Sequence, residues 1–98
     1  MPQPPFMRYV LCYDTPSARR RARVAKQLES CGFRVQFSVF EADLTAEMLR
    51  DLIVALHALI DRSEDNIRIY PVCQQCAGKV RVVGIPDPYG IARTPLMF

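Results

Sequence analysis

The sequence predicts an α+β sandwich, with two helices over one face of an antiparallel sheet. Two stretches of this 98-residue chain repeat apolar residues at three-and-four spacing, as amphipathic helices do. The other apolar stretches are short, and are either continuous or alternating, as strands are. Their order, strand, helix, strand material, helix, strand, strand, is that of a ferredoxin-like fold. Helices on one side leave the second face of the sheet to be covered. A homodimer packed sheet to sheet would cover it, and the last strand and tail could cross to the partner.

Arg8 to Tyr13 form a nearly continuous apolar run, as suits a central strand, and Asp14 ends it. Thr15 is placed to cap the first helix, with Pro16 at its first position, where a missing N–H costs nothing. That helix is expected to reach about Cys31 and stop at Gly32. Val35, Phe37 and Val39 then alternate with Arg34, Gln36, Ser38 and Phe40, giving one strand or two short ones through Leu44. Thr45 caps a second helix, with Glu47 in its first turn and a stripe of Leu49, Leu52, Ile53, Leu56, Leu59 and Ile60. Asp61 to Asp65 make a polar turn. Ile67 and Ile69 start a strand that Pro71 confines to an edge or a bulge. Lys79 to Val83 read as a last short strand. Residues 1–7 read as a disordered leader, 8–84 as the domain and 85–98 as an irregular tail.

Composition narrows the function. Half of the residues are hydrophobic, which excludes a disordered chain. No apolar run approaches the roughly 20 residues of a membrane span, and no signal peptide is evident, so the expected location is cytoplasmic, away from any membrane. Net charge is only +3, so a nucleic-acid surface has to come from clustering. Arginines 19, 20, 21 and 23 supply such a cluster. They sit in the first turns of a helix, where the positive end of the helix dipole disfavours them. A cost accepted there points to use of the charge. At roughly 100° per residue, Arg19, Arg23 and Lys26 share the face opposite Ala18, Ala22, Val24, Ala25, Leu28 and Cys31. The ordinary reading of such a stripe is a solvated face; its lack of acids before Glu29 favours phosphate backbone. Arg21 falls within the apolar arc, so its head is expected over the sheet edge near Asp14, either paired with it or flanking a phosphate.

Asp14 itself, at the carboxyl edge of a strand, is a candidate ligand for a divalent cation. Other candidates weigh less. His57 is the sole histidine and borders an apolar face, and Tyr13 and Tyr70 are strand tyrosines that more often serve core or interface. No Gly-rich phosphate loop exists. Cys12 and Cys31 read as small buried hydrophobes. Cys73-x-x-Cys76 lacks a second pair for a four-ligand zinc site within one chain, and ordinary turn packing is the main reading. Metal or disulfide roles are the lesser one, and thioredoxin-like chemistry is disfavoured because the motif follows a strand rather than opening a helix.

The residues then resemble a known family. Tyr13-Asp14 after an apolar strand, Arg21-x-Arg23-Val24 in the next helix, Arg34-Val35-Gln36-Phe37-Ser38-Val39-Phe40-Glu41 and Asp65 to Cys73 are similar to CRISPR-associated protein two. The resemblance implies a ferredoxin-like homodimer at the centre of the spacer-acquisition complex. Dimers of CRISPR-associated protein one would flank it, and it would clamp duplex spacer DNA. It also implies divalent-metal-dependent endonuclease activity on single-stranded RNA or on DNA. Asp14 would lie at the two-fold axis, where one magnesium or manganese ion is shared across the dimer. Tyr13, Arg21, Arg23, Arg34 and Phe40 would complete the site. Arg19, Arg20 and Lys26 join the nucleic-acid surface on charge and geometry alone, with Arg21, Arg23 and Arg34. The alternative is a toxin-like endoribonuclease similar to virulence-associated protein D, acting without the adaptation complex.

Overall fold

A computed structural model describes residues 5–84. Strand β1 (Met7–Asp14) leads to helix α1 (Ala18–Glu29), then β2 (Gly32–Gln36), β3 (Val39–Leu44), helix α2 (Ala46–Leu59) and β4 (Asn66–Val72). A one-turn helix, α3 (Gln74–Ala77), follows. The four strands form one antiparallel sheet in the order β2-β3-β1-β4, which is the ferredoxin-like α+β topology.

Alternation along the strands divides the sheet into two faces. Leu11 and Tyr13 of β1 lie beside Phe40 and Ala42 of β3 on the face that α1 and α2 cover. Val24, Ala25 and Leu28 of α1 and Leu52 and Leu56 of α2 close that core. Each such leucine, fully removed from water, contributes about 1.5–3 kcal/mol. Arg8, Val10, Cys12 and Asp14 take the alternate positions, on the opposite face. There their register partners are Asp43, Glu41 and Val39 on one side and Val72, Tyr70, Arg68 and Asn66 on the other. Pro71 lies in β4, an edge strand, where its missing donor breaks no ladder.

The sequence misplaced some boundaries for definable reasons. The cap of α1 is Ser17, not Thr15: its Oγ accepts from the Arg20 N–H at 3.1 Å, and Pro16 precedes the cap. Thr15 is buried, and its side chain accepts from the Ser17 N–H and bonds to Asp65, so it is committed elsewhere. Gly32 does not cap α1, which ends at Glu29 with Ser30 as the right-handed C-cap. Gly32 opens β2, where an added Cβ would run into the Glu41 carbonyl oxygen and sit 2.9 Å from the Ala42 Cβ. Close approach of two strands, rather than positive φ, is what excludes a side chain there. Residues 79–83 form no strand: a ladder needs a neighbour, and after α3 this exposed segment meets none among the described residues. Thr45, in contrast, caps α2 as expected, accepting from the Met48 N–H at 3.1 Å. The tail from Ile85 and most of the leader lie outside the described residues, although Met7 already belongs to β1.

Candidate functional site

Asp14 owes its setting to the two-residue period of β1. Two positions beyond Cys12, it shares the face opposite α1 and α2, and its backbone pairs with Asn66 at the start of β4. It is exposed, and its carboxylate makes no hydrogen bond or ion pair with any described residue. An unpaired acid on the uncovered face of a sheet is available to a cation or to a second copy of the chain.

The arginine cluster is divided by the helix it lies on. Arg19, Arg21, Arg23 and Lys26 are exposed on α1 and pair with no described acid. Arg21 forms no ion pair with Asp14: α1 lies over one face of the sheet, and Asp14 belongs to the other. Arg20 is spent within the fold. Its Nε donates to Asp65 Oδ2 at 2.7 Å and its Nη2 to Glu64 at 2.6 Å. The Asp65 carboxylate is 1% exposed and also accepts from the Asp61 N–H at 2.9 Å. Arg20 above all, then Asp61 and Thr15, hold the Asp65 carboxyl down at about 2. This clamp ties the start of α1 to the loop before β4, and so positions the neighbour of Asp14.

Tyr13, Arg34 and Phe40 do come together, around the β2–β3 turn. Phe40 is fully buried and Tyr13 nearly so, with ring centroids 6.3 Å apart. The Arg34 guanidinium lies 5.1 Å from the Phe40 ring centre. Tyr13 Oη and Arg34 Nη1 both donate to the Phe37 carbonyl, at 3.2 and 3.1 Å, and the Tyr13 N–H donates to the Ser38 carbonyl at 3.1 Å. Tyr13 and Phe40 thus build the turn beside Asp14 from within the core.

Two further arginines share the face of Asp14. Arg68 of β4 stands opposite Cys12, which makes it the diagonal neighbour of Asp14, at a separation on the order of 7–8 Å. Its Nη1 donates to the Tyr70 hydroxyl at 3.3 Å. Arg8 is buried under the same face, bonded to Asp43 at 2.7 Å and to Glu41, with its guanidinium 5.2 Å from the Phe33 ring centre. Period two from Asp14 leads to the opposite strand only once the register is known, so the sequence alone gave no signal for Arg68. His57 is exposed on α2 and lies 3.4 Å from Arg62, away from this cluster.

A family model described as CRISPR associated protein Cas2 matches residues 7–80. The chain belongs to the CRISPR-associated protein Cas2 family. Among its relatives is a protein named CRISPR-associated endoribonuclease Cas2 4 of Rhodospirillum rubrum, 47% identical over 72 residues. That match takes in 74% of this chain and only 58% of the relative, so the chain spans little more than half of that protein. The Cas2 of Streptococcus pyogenes, solved at pH 6.5, superposes with a TM-score of 0.71 at 35% identity, over 80% of this chain and all of that one. A chain of a partial Cas6-RT-Cas1–Cas2 complex superposes with a TM-score of 0.70 at 27% identity, covering 93% and 99% of the two chains. The Cas2 family thus bears out the resemblance read from Tyr13-Asp14 and the three motifs that follow. Among the described residues, no helix is long and apolar enough to cross a membrane.

Proposed function

We propose that this Cas2-family chain acts in CRISPR spacer acquisition, as the central homodimer of a complex with dimers of CRISPR-associated protein one. It binds duplex spacer DNA there, and it carries a metal-dependent endonuclease site on RNA or DNA. The observation that carries the reading is the unpaired Asp14 carboxylate on the face of the sheet that α1 and α2 leave uncovered. The Cas1–Cas2 complex among the structural relatives supports the partnership.

Packing two such faces together buries Val10, Cys12, Val39 and Tyr70 and brings two Asp14 side chains to the two-fold axis. Among the described residues of one chain, no three His, Cys, Asp or Glu side chains are grouped around a common point. Two Asp14 carboxylates supply hard oxygen donors that suit magnesium or manganese, since magnesium keeps several of its waters. When bound, the ion supplies positive charge to polarise a phosphate and acidify a water. The chain's own residues do the rest. Asp14 anchors the site, Arg68 sets a cation next to it, and the turn built by Tyr13, Arg34 and Phe40 fixes the end of the sheet. The exposed Arg19, Arg21, Arg23 and Lys26 form a separate stripe for phosphate backbone, where contacts position without reading sequence. A cytoplasmic location accords with this role.

The test compares wild type with Asp14→Ala on labelled single-stranded RNA and duplex DNA, with magnesium or with chelator. Cleavage is expected to need both magnesium and Asp14, while duplex binding survives Asp14→Ala. Binding is expected to fall steeply with salt, and Arg19→Glu with Arg23→Glu to flatten that dependence by about 2 in logarithmic slope. Cleavage that persists in Asp14→Ala would remove the nuclease site, and duplex binding indifferent to both charge reversals would remove the scaffold. RNA cleavage by a chain that binds no duplex would favour the toxin-like alternative.

A further inference from the structure

We infer that Cys73 and Cys76 form a redox-modifiable dithiol, closed to an intramolecular disulfide by small-molecule disulfides and reopened by thiols. The inference does not depend on the nuclease site. The motif opens a helix after all: Cys73, with extended backbone at φ −64° and ψ 160°, is the N-cap of α3. Its Sγ accepts from the Cys76 N–H at 3.4 Å, which draws the first sulfur over the turn that carries the second. Residues three apart on a helical turn have Cβ atoms about 5–6 Å apart, and a disulfide spans about 3.5–4.5 Å, so closing the bond requires the cap residue to rotate inward by about 1–2 Å. Both side chains are exposed, so a dissolved oxidant reaches either one.

The two thiols are not equivalent. The Cys76 N–H and the Cys76 thiol both stabilise a thiolate at Cys73 and lower its pKa, while donation to Cys73 raises that of Cys76. Cys73 is therefore the attacking sulfur. Its thiolate displaces one thiolate from a small disulfide such as oxidised glutathione and forms a mixed disulfide. Cys76, losing its proton to solvent, then attacks the Cys73 sulfur and expels the second glutathione thiolate. The balance is two protein thiols and one small disulfide in, one protein disulfide and two small thiols out. The bond would fix α3, the turn through which the chain leaves β4.

The test uses wild-type protein equilibrated in oxidised and reduced glutathione. Each chain has four free cysteines, and we expect thiol titration to fall from four to two in oxidising buffer and return with dithiothreitol. Peptide mass spectrometry should place the loss of two hydrogens on the peptide containing residues 73–76. In Cys73→Ser and Cys76→Ser the remaining cysteine should stay in mixed disulfide with glutathione, and Cys73 should react the faster of the two. Four free thiols throughout, a bridge that includes Cys12 or Cys31, or only crosslinks between chains would overturn the inference. So would protection of the pair that vanishes with a zinc chelator, since the thiols would then be metal ligands.

Discussion

Phe40 separates a chemical role from an architectural one, because the family resemblance puts it in the active site and the structure buries it completely. Truncation to alanine removes a ring from the centre of the core, between Leu11 in register on β1 and Arg34 on β2. The transfer and cavity terms for a buried Phe→Ala change are about 3–5 kcal/mol. Loss of the Tyr13 ring contact and of the Arg34 guanidinium over the ring would add about 0.5–1.5 and 0.5–1 kcal/mol if independent. These terms share atoms, so a total near 4 kcal/mol is expected, out of a typical reserve of about 5–15. For a domain of this size each kcal/mol is worth about 4–8 °C of melting temperature, so Phe40→Ala should melt well over 10 °C below wild type. Phe40→Leu, which keeps most of the volume, should lose a fraction of that. The assay is thermal unfolding by circular dichroism at matched chain concentration, since dimerisation would shift every midpoint. Nuclease and duplex-binding activities are then scaled to the folded fraction. Loss of activity in proportion to unfolding fits a ring that builds the turn beside Asp14. A Phe40→Ala protein that melts within about 2 °C of wild type and is nevertheless inactive would refute this reasoning.

Two other changes test the packing and the clamp. Gly32→Ala should cost about 1–3 kcal/mol, because the new methyl group meets the backbone of β3, whereas Gly78→Ala, whose Cβ would lie 3.7 Å from its nearest neighbours, should be close to neutral; urea titration distinguishes them. Asp65 has its folded pKa lowered to about 2, below an unfolded value of about 4, so its stabilising contribution is complete above about pH 4 and is lost as pH falls toward 2. The wild-type urea midpoint should therefore drop between pH 6 and pH 3 by more than that of Asp65→Asn, and equal drops would show that Arg20 does not hold the carboxylate down.

What the sequence revealed follows from how local the causes were. The stripe of α2 and its Thr45 cap are set by neighbours within a few residues, and both were legible. The alternation read through Val35, Phe37 and Val39 missed the β2–β3 turn, which leaves Phe37 83% exposed and has β3 bury Phe40, Ala42 and Leu44 instead. Ser17 displaced Thr15 as cap only because Asp65, fifty residues along the chain from Thr15, claims the Thr15 side chain. Arg20 looked like one more surface cation for the same reason: its partners lie across the fold. The expected meeting of Asp14 and Arg21 failed on a matter of faces. Helical angle placed Arg21 toward the sheet, but only the register of β1 decides on which side of the sheet Asp14 stands. Arg68 was hidden by the same register. The one-turn helix α3 left no periodic trace because four residues are too few to show one.

The Phe37 carbonyl has a consequence for how the family can vary. Tyr13 and Arg34 hold the β2–β3 turn through main-chain oxygens, and the Phe37 side chain is 83% exposed. These hydrogen bonds use the main chain, so they do not depend on which side chain stands at this position. A lineage that exchanged Phe37 for a cation, an amide or a small residue would alter what it offers at the end of the sheet where Asp14 lies and still keep both donors on the same carbonyl.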